Sequence, residues 1–205
     1  MSRWYKEKKK EYYYRKAKEE KYRSRAAYKL KQLNKKFNLI REGYTVVDLG
    51  AAPGGWTQVA LELVGSKGLV VAVDREDIED FDAENVRIIK GDFTDNETVQ
   101  EILSLADKAD TIISDASPDI SGVWDIDHFR SVELGRHALK IAGEILREGG
   151  NFLVKIFQGR EVEEFYREVK DRFKFAKRAK PPASRSSSAE IYIIGKGFKY
   201  QTSKE

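Results

Sequence analysis

Four aspartates stand at the ends of four short apolar runs: Asp48, Asp74, Asp92 and Asp115. The first leads directly into a glycine-rich turn, Gly50-Ala51-Ala52-Pro53-Gly54-Gly55-Trp56. An apolar strand, an acid, a glycine turn and then a helix bring bare backbone up to a nucleotide-like ligand, because a Cβ would obstruct both the turn and the approach. A pyrophosphate-binding turn would read G-x-G-x-x-G and present N–H groups at the helix start. Here Ala52 and Pro53 occupy its middle, and proline has no N–H to give. The turn therefore suits an adenosine ligand without a pyrophosphate, with S-adenosylmethionine as the candidate. Asp48, Gly50, Gly54 and Trp56 fall on that side of the chemistry. Asp74, 24 positions after Gly50, is spaced to bind ribose hydroxyls, and Asp92, in Gly91-Asp92-Phe93, to meet the adenine ring. A lone aspartate after a strand is ordinarily a turn former or a helix cap. Four of them in step with a glycine turn point to a site.

Lys155 is enclosed by Phe152, Leu153, Val154, Ile156 and Phe157. A lysine in such company is costly unless paired, so it faces a partner or a cleft. Asp115 opens the loop Ser114-Asp115-Ala116-Ser117-Pro118. Enzymes that methylate exocyclic amines typically carry Asn/Asp-Pro-Pro-aromatic there, and neither the second proline nor the ring is present. The chain has no cysteine, which removes disulfides, thiolate metal sites and every cysteine-nucleophile mechanism. The two histidines, His128 and His137, make no metal site alone and are expected in solvated or capping roles. Taken singly, Lys29 and Glu190 read as surface charges.

The elements that must position these residues alternate. A helix over 24–37, with Ser24 as its cap, precedes strands at 44–49, 68–74, 86–90, 111–115, 151–157, 173–177 and 190–195. Helices over 57–64, 97–107, 127–147 and 162–172 lie between them. That order predicts an α/β fold: a doubly wound, mostly parallel seven-stranded sheet in a single domain, with helices on both faces. Ligands in such sheets sit at the carboxyl ends of the strands, near the point where strand order reverses. The serine-rich stretch 181–188 is expected to be an exposed loop.

Charge is unevenly distributed. Residues 1–42 hold sixteen Lys or Arg against five Glu, although the whole chain carries only +4. Trp4, Tyr5, Tyr12, Tyr13, Tyr14 and Tyr22 are interleaved with these cations. Cations suit phosphates and rings suit unstacked bases, so a basic aromatic arm over 1–23 points to RNA rather than to a lipid surface. The other reading is a solvated tail. A domain over 24–200 and a short tail over 201–205 complete the expected organisation. No signal peptide and no run long enough for a membrane span is present, which predicts a cytoplasmic protein. It is expected to be monomeric.

In order and spacing, Ser24-Arg25-Ala26-Ala27-Tyr28-Lys29-Leu30, the 48–56 turn, Ser114-Asp115, Val154-Lys155 and Ser188-Ala189-Glu190-Ile191-Tyr192 resemble the FtsJ/RrmJ family of RNA ribose 2′-O-methyltransferases, in an archaeal-looking form. The likeness runs from about residue 22 onward. It implies that Lys29, Asp115, Lys155 and Glu190 form a catalytic tetrad. It also implies that Gly54, Trp56, Asp74, Asp92 and Asp115 line the S-adenosylmethionine site. The implied substrate is a uridine of large-subunit ribosomal RNA, free or in the subunit. The alternatives are tRNA, or a non-catalytic assembly factor that retains the fold. Lys155 would take the proton of the 2′-hydroxyl. That requires burial and a nearby Lys29 cation to favour its neutral form, against the pull of Asp115. This chemistry requires no metal. The Lys- and Tyr-rich arm departs from the family pattern, so its contacts do not carry over.

Overall fold

A computed structural model describes residues 3–185 and 187–200; the side chains of Trp4 and Tyr5, Ser186 and the 201–205 tail lie outside the described residues. Helices α1 (Arg3–Glu19) and α2 (Ala27–Phe37) precede the alternating part of the chain. There β1 (Thr45–Leu49), α3 (Gly55–Val64), β2 (Leu69–Asp74), β3 (Val86–Lys90), α4 (Asn96–Leu105) and β4 (Ala109–Ser114) follow in order. Then come α5 (Trp124–Ile145), β5 (Leu146–Phe157), α6 (Val162–Arg172), β6 (Phe173–Ala179) and β7 (Glu190–Phe198).

The strands form one seven-stranded sheet in the order β3-β2-β1-β4-β5-β7-β6. The pairs from β3 through β5 are parallel, and β7 enters antiparallel between β5 and β6. This is the expected mixed, mostly parallel sheet, with strand order reversing between β1 and β4. The apolar runs of β1, β2 and β4 are buried, as they must be when helices cover both faces. On one face α4, α5 and α6 pack through Ile102, Val132, Leu139, Phe165 and Val169. On the other, α2 and α3 pack through Leu30, Leu33, Trp56 and Val59.

Several boundaries differ from the expectations, each for a local reason. Helix α2 begins at Ala27, after a tight turn in which the Ala27 N–H bonds the Ser24 carbonyl at 3.3 Å. Ser24 does not cap it; its hydroxyl instead packs so closely on Gly55 that a Cβ there would come within 2.2 Å. Helix α5 starts three residues early, at Trp124, and ends at Ile145, where β5 takes over. The 181–188 stretch is not simply exposed. Ala183 and Ser184 are buried, and the Ala183 N–H bonds the Gln32 side-chain oxygen at 2.8 Å. The basic aromatic arm is helical in α1, and Ala17 is buried against Tyr28 and Ala183. The Tyr13 ring lies 5.4 Å from that of Tyr28. Among the described residues, no helix is long and apolar enough to cross a membrane.

Candidate active site

Strand order reverses between β1 and β4, so the chain leaves their carboxyl ends toward opposite faces and a crevice opens there. The two exits come very close. Gly50 has φ +73°, and a Cβ on it would meet the Ala116 Cβ at 2.5 Å. Only glycine satisfies both conditions. The crevice is a cleft of about 680 Å³ with Gly50, Ala52, Asp74, Asp92, Asp115 and Pro118 in its wall. Its carboxylates are braced by backbone. The Asp74 oxygens accept from the Ala52 N–H (2.8 Å) and the Glu76 N–H (2.9 Å). Asp92 accepts from the Thr94 N–H at 2.9 Å and the Thr94 hydroxyl at 2.8 Å.

Gly50, Asp74, Asp92 and Asp115 thus share one cleft, whereas Asp48, Gly54 and Trp56 stand behind it. Asp48 is fully buried; one oxygen accepts from the Thr57 hydroxyl at 2.7 Å and the other has no partner. Burial pushes its carboxyl up to about 7, helped by the charges of Asp115 and Asp74 and opposed by the Thr57 hydrogen bond. Gly54, at φ +107°, opens α3, and a Cβ there would meet Arg23 and Phe81 at 2.8 Å. Trp56 is buried, donates its ring N–H to the Ala26 carbonyl at 2.9 Å, and stacks on Tyr192 at 6.0 Å. It ties the glycine turn to the segment that carries Lys29.

Past Asp115 the character of the wall changes. Lys155, on β5, is 6 % exposed and donates to the Asp115 carbonyl oxygen at 2.7 Å, with the Asp115 carboxylate at 3.7 Å. Lys29, on α2, is 5 % exposed and pairs with Glu190 at 2.8 Å. Burial pushes the Glu190 carboxyl up, but the charge and hydrogen bond of Lys29, with Lys155 adding to them, hold it below the ordinary carboxylate range. Lys29, Asp115, Lys155 and Glu190, the four residues expected to act together, therefore converge at the ends of β4, β5 and β7. In register, Lys155 faces Tyr192 and Phe157 faces Glu190, so these four side chains share one face of the sheet.

Three site residues were not anticipated. Tyr192 donates its hydroxyl to Asp115 at 3.0 Å; burial and the charges of Asp115 and Glu190 raise its phenol so far that it stays protonated. Its place two residues after Glu190 on a strand is the signal that could have found it. Arg25 lies half-buried beside the same cluster, its guanidinium drawn down by burial and by neighbouring Arg185. It stands in the Ser24–Leu30 motif, but nothing in the sequence assigns it a role. His128 corrects the expectation for the histidines: it is 2 % exposed, and its Nδ1–H donates to the Phe157 carbonyl oxygen at 2.9 Å. Among the described residues, no cluster of three or more His, Cys, Asp or Glu is arranged to hold a metal ion.

A model of the FtsJ-like methyltransferase family matches residues 22–198. The ribosomal RNA large subunit methyltransferase E of Methanothermobacter thermautotrophicus is 54 % identical over 198 residues, covering 96 % of this chain and 94 % of its own. That of Methanobrevibacter smithii is 50 % identical over 205 residues, covering 100 % and 98 %. Among solved structures, a Plasmodium falciparum protein assigned as a ribosomal RNA methyltransferase superposes with a TM-score of 0.78 at 28 % identity, over 88 % of this chain and all of its own. Aeropyrum pernix fibrillarin, solved with bound S-adenosyl-L-methionine, gives 0.55 at 16 % identity over 77 % of this chain and 68 % of its own, a likeness of fold alone.

Proposed function

From the premise that this chain belongs to the FtsJ-like methyltransferase family, we propose that it methylates a ribose 2′-hydroxyl of large-subunit ribosomal RNA, at a uridine, with S-adenosylmethionine as donor. One observation carries the choice of a hydroxyl acceptor: a buried Lys155 bound to Asp115, and a buried Lys29 paired with half-buried Glu190, stand beside the cleft that Asp115 also lines. The cleft residues fit the donor. Gly50 leaves the approach free of a Cβ, Asp74 and Asp92 offer acceptors for ribose and adenine, and Asp48, Gly54 and Trp56 hold the turn from behind. When bound, S-adenosylmethionine supplies an electrophilic methyl group.

The chain's own residues do the rest. Lys155 would accept the proton of the 2′-hydroxyl as that oxygen takes the methyl group, whose bond to the donor's sulfur would break with its electron pair left on sulfur. The Asp115 carbonyl oxygen and carboxylate fix the Lys155 amine in place, and Tyr192 fixes Asp115. Glu190 holds Lys29 over the same face, where it orients the ribose. The RNA side extends to Arg25, Arg185 and α1, on which Tyr12 and Tyr14 stay exposed while Tyr13 turns inward. The enzyme would act in the cytoplasm as a monomer.

The test is transfer of label from S-adenosylmethionine to ribosomal RNA, ribosomal subunits or tRNA, followed by mapping. The expected product is one ribose methyl on large-subunit RNA that blocks alkaline cleavage at that position. Label confined to tRNA, or found on a base, would overturn the assignment.

A further inference from the structure

On this RNA reading, we propose that the exposed face of Trp124 is a stacking platform for one unpaired base of the substrate, immediately flanking the ribose being methylated. Residues 120–129 leave five large apolar side chains in solvent: Ile120, Val123, Trp124, Ile126 and Phe129. Single exposed apolar residues are ordinary, but Trp124 is not placed as an incidental one. It is half exposed, while its ring stacks on Phe157 with centroids 6.0 Å apart and planes 26° apart. Phe157 lies on the sheet face of Lys155 and Glu190, with the Lys155 Nζ 6.0 Å from its ring centre. Trp124 thus reaches over the carboxyl edge of the sheet and continues the acceptor wall in two equal steps from the base.

The platform is held rigid from below. Both backbone groups of Phe157 are bound by α5. Its N–H donates to the Ser131 hydroxyl at 2.9 Å, and its carbonyl accepts from His128. Gly159 leaves room for the His128 ring, which a Cβ would strike at 2.4 Å. On the other side, Asp127 accepts from the Ser121 N–H and hydroxyl, both at 2.7 Å, and so pins the loop that enters α5 at Trp124. A fixed ring with one face packed and one face open suits a nucleobase. It offers a large π surface with little ordering left to lose and no demand for a particular base. Exposed Arg160, three residues past Phe157, adds a cation for the adjoining phosphate. Continuity with the acceptor wall favours RNA over a protein partner as the occupant.

The experiment measures kcat and KM for RNA, and the dissociation constant of S-adenosylmethionine, in wild type, Trp124→Ala, Trp124→Leu and Trp124→Phe. The substrate is whichever of deproteinised large-subunit RNA and unmodified subunits the wild type methylates. The expected result is a KM for RNA raised about tenfold in the Ala and Leu variants and largely restored by Phe, which is the scale of one lost base stack. Cofactor binding should not move, and kcat should stay within about threefold. An unchanged KM, equal rescue by Leu and Phe, or a parallel loss of cofactor binding would overturn the platform. So would a defect seen on subunits but absent on free RNA that the wild type also methylates, which would assign Trp124 to a ribosomal protein. Failure of the wild type to methylate either RNA would instead strike the functional reading itself.

Discussion

The two walls that meet at Asp115 are built by opposite means. On the donor side Asp74 and Asp92 are braced by backbone N–H groups, two of them only two residues on: Asp74 by Ala52 and Glu76, Asp92 by Thr94. On the acceptor side every contact joins groups from different strands, helices or loops far apart in sequence. Lys29 and Glu190 are 161 positions apart, Tyr192 and Asp115 are 77, and Lys155 and Asp115 are 40. A donor site can be made from strand ends and one glycine turn, because what it needs is close backbone and acceptors at fixed spacing. An acid–base site needs opposite charges taken out of water together, and only the packed sheet can bring them there. Damage should divide accordingly: the donor wall controls occupancy and the acceptor wall controls the chemical step.

The sharpest way to break that division is Lys155→Ala. Methyl transfer at saturating cofactor should fall by about 10³-fold, the scale of a lost general base, while the cofactor dissociation constant stays within about twofold. Isothermal titration beside label transfer checks both, and a cofactor affinity that falls with the rate would merge the two walls. The complementary change is Asp74→Ala. It frees the Ala52 N–H and, in the proposed site, removes acceptors for the donor's ribose. Cofactor affinity should drop roughly 10- to 100-fold, as for lost hydrogen bonds to a charged group, with kcat nearly kept once the cofactor saturates.

Glu190→Gln sharpens the acceptor side through pH. Lys29 and Lys155 outweigh burial and hold Glu190 below its unfolded value near 4.5. The folded state therefore binds fewer protons there than the unfolded chain. The pair's contribution is whole above that value and is lost as pH falls through the lowered native one. The Gln variant should lose about tenfold in kcat. It should be less stable at neutral pH, and its melting temperature should fall less than that of wild type on acidification from pH 5 to 3. Parallel melting curves would show that Lys29 and Glu190 are not coupled.

The same division explains how much could be read without coordinates. The glycine turn, the strand-end aspartates and the succession of strands and helices are local patterns, and the mostly parallel sheet and the placement of Gly50, Asp74, Asp92 and Asp115 follow from them, whereas the position of the reversal between β1 and β4 does not. Lys29 and Glu190 look like surface charges in isolation, and only resemblance to a family joined them. Arg25, Tyr192 and His128 escaped because their roles arise from burial and from partners far along the chain. Ser24 misled because a good capping residue was needed against Gly55, where close packing outweighed helix propensity. Trp124 escaped because the first turn of α5 has no side-chain cap to announce it.

Asp48 is where the two walls share a foundation, and it offers the mildest test. It lies at the end of β1, fully buried, with one oxygen on Thr57 and the other unpartnered. Burial and the nearby charges of Asp115 and Asp74 raise its carboxyl to about 7, so between about pH 4 and 7 the folded state holds a proton that the unfolded chain has released. Stability from that proton is present at low pH and fades as pH rises through 7. Asn keeps the shape, can accept from Thr57, and never acquires the buried charge. Asp48→Asn should therefore lose less melting temperature than wild type between pH 6 and 8, a difference of a few degrees at most. Thermal melts of the cofactor-free protein across that range would check it. If both proteins instead lost the same number of degrees, Asp48 would not be titrating there, and the foundation under Asp115 would carry the same charge at every pH at which the enzyme works.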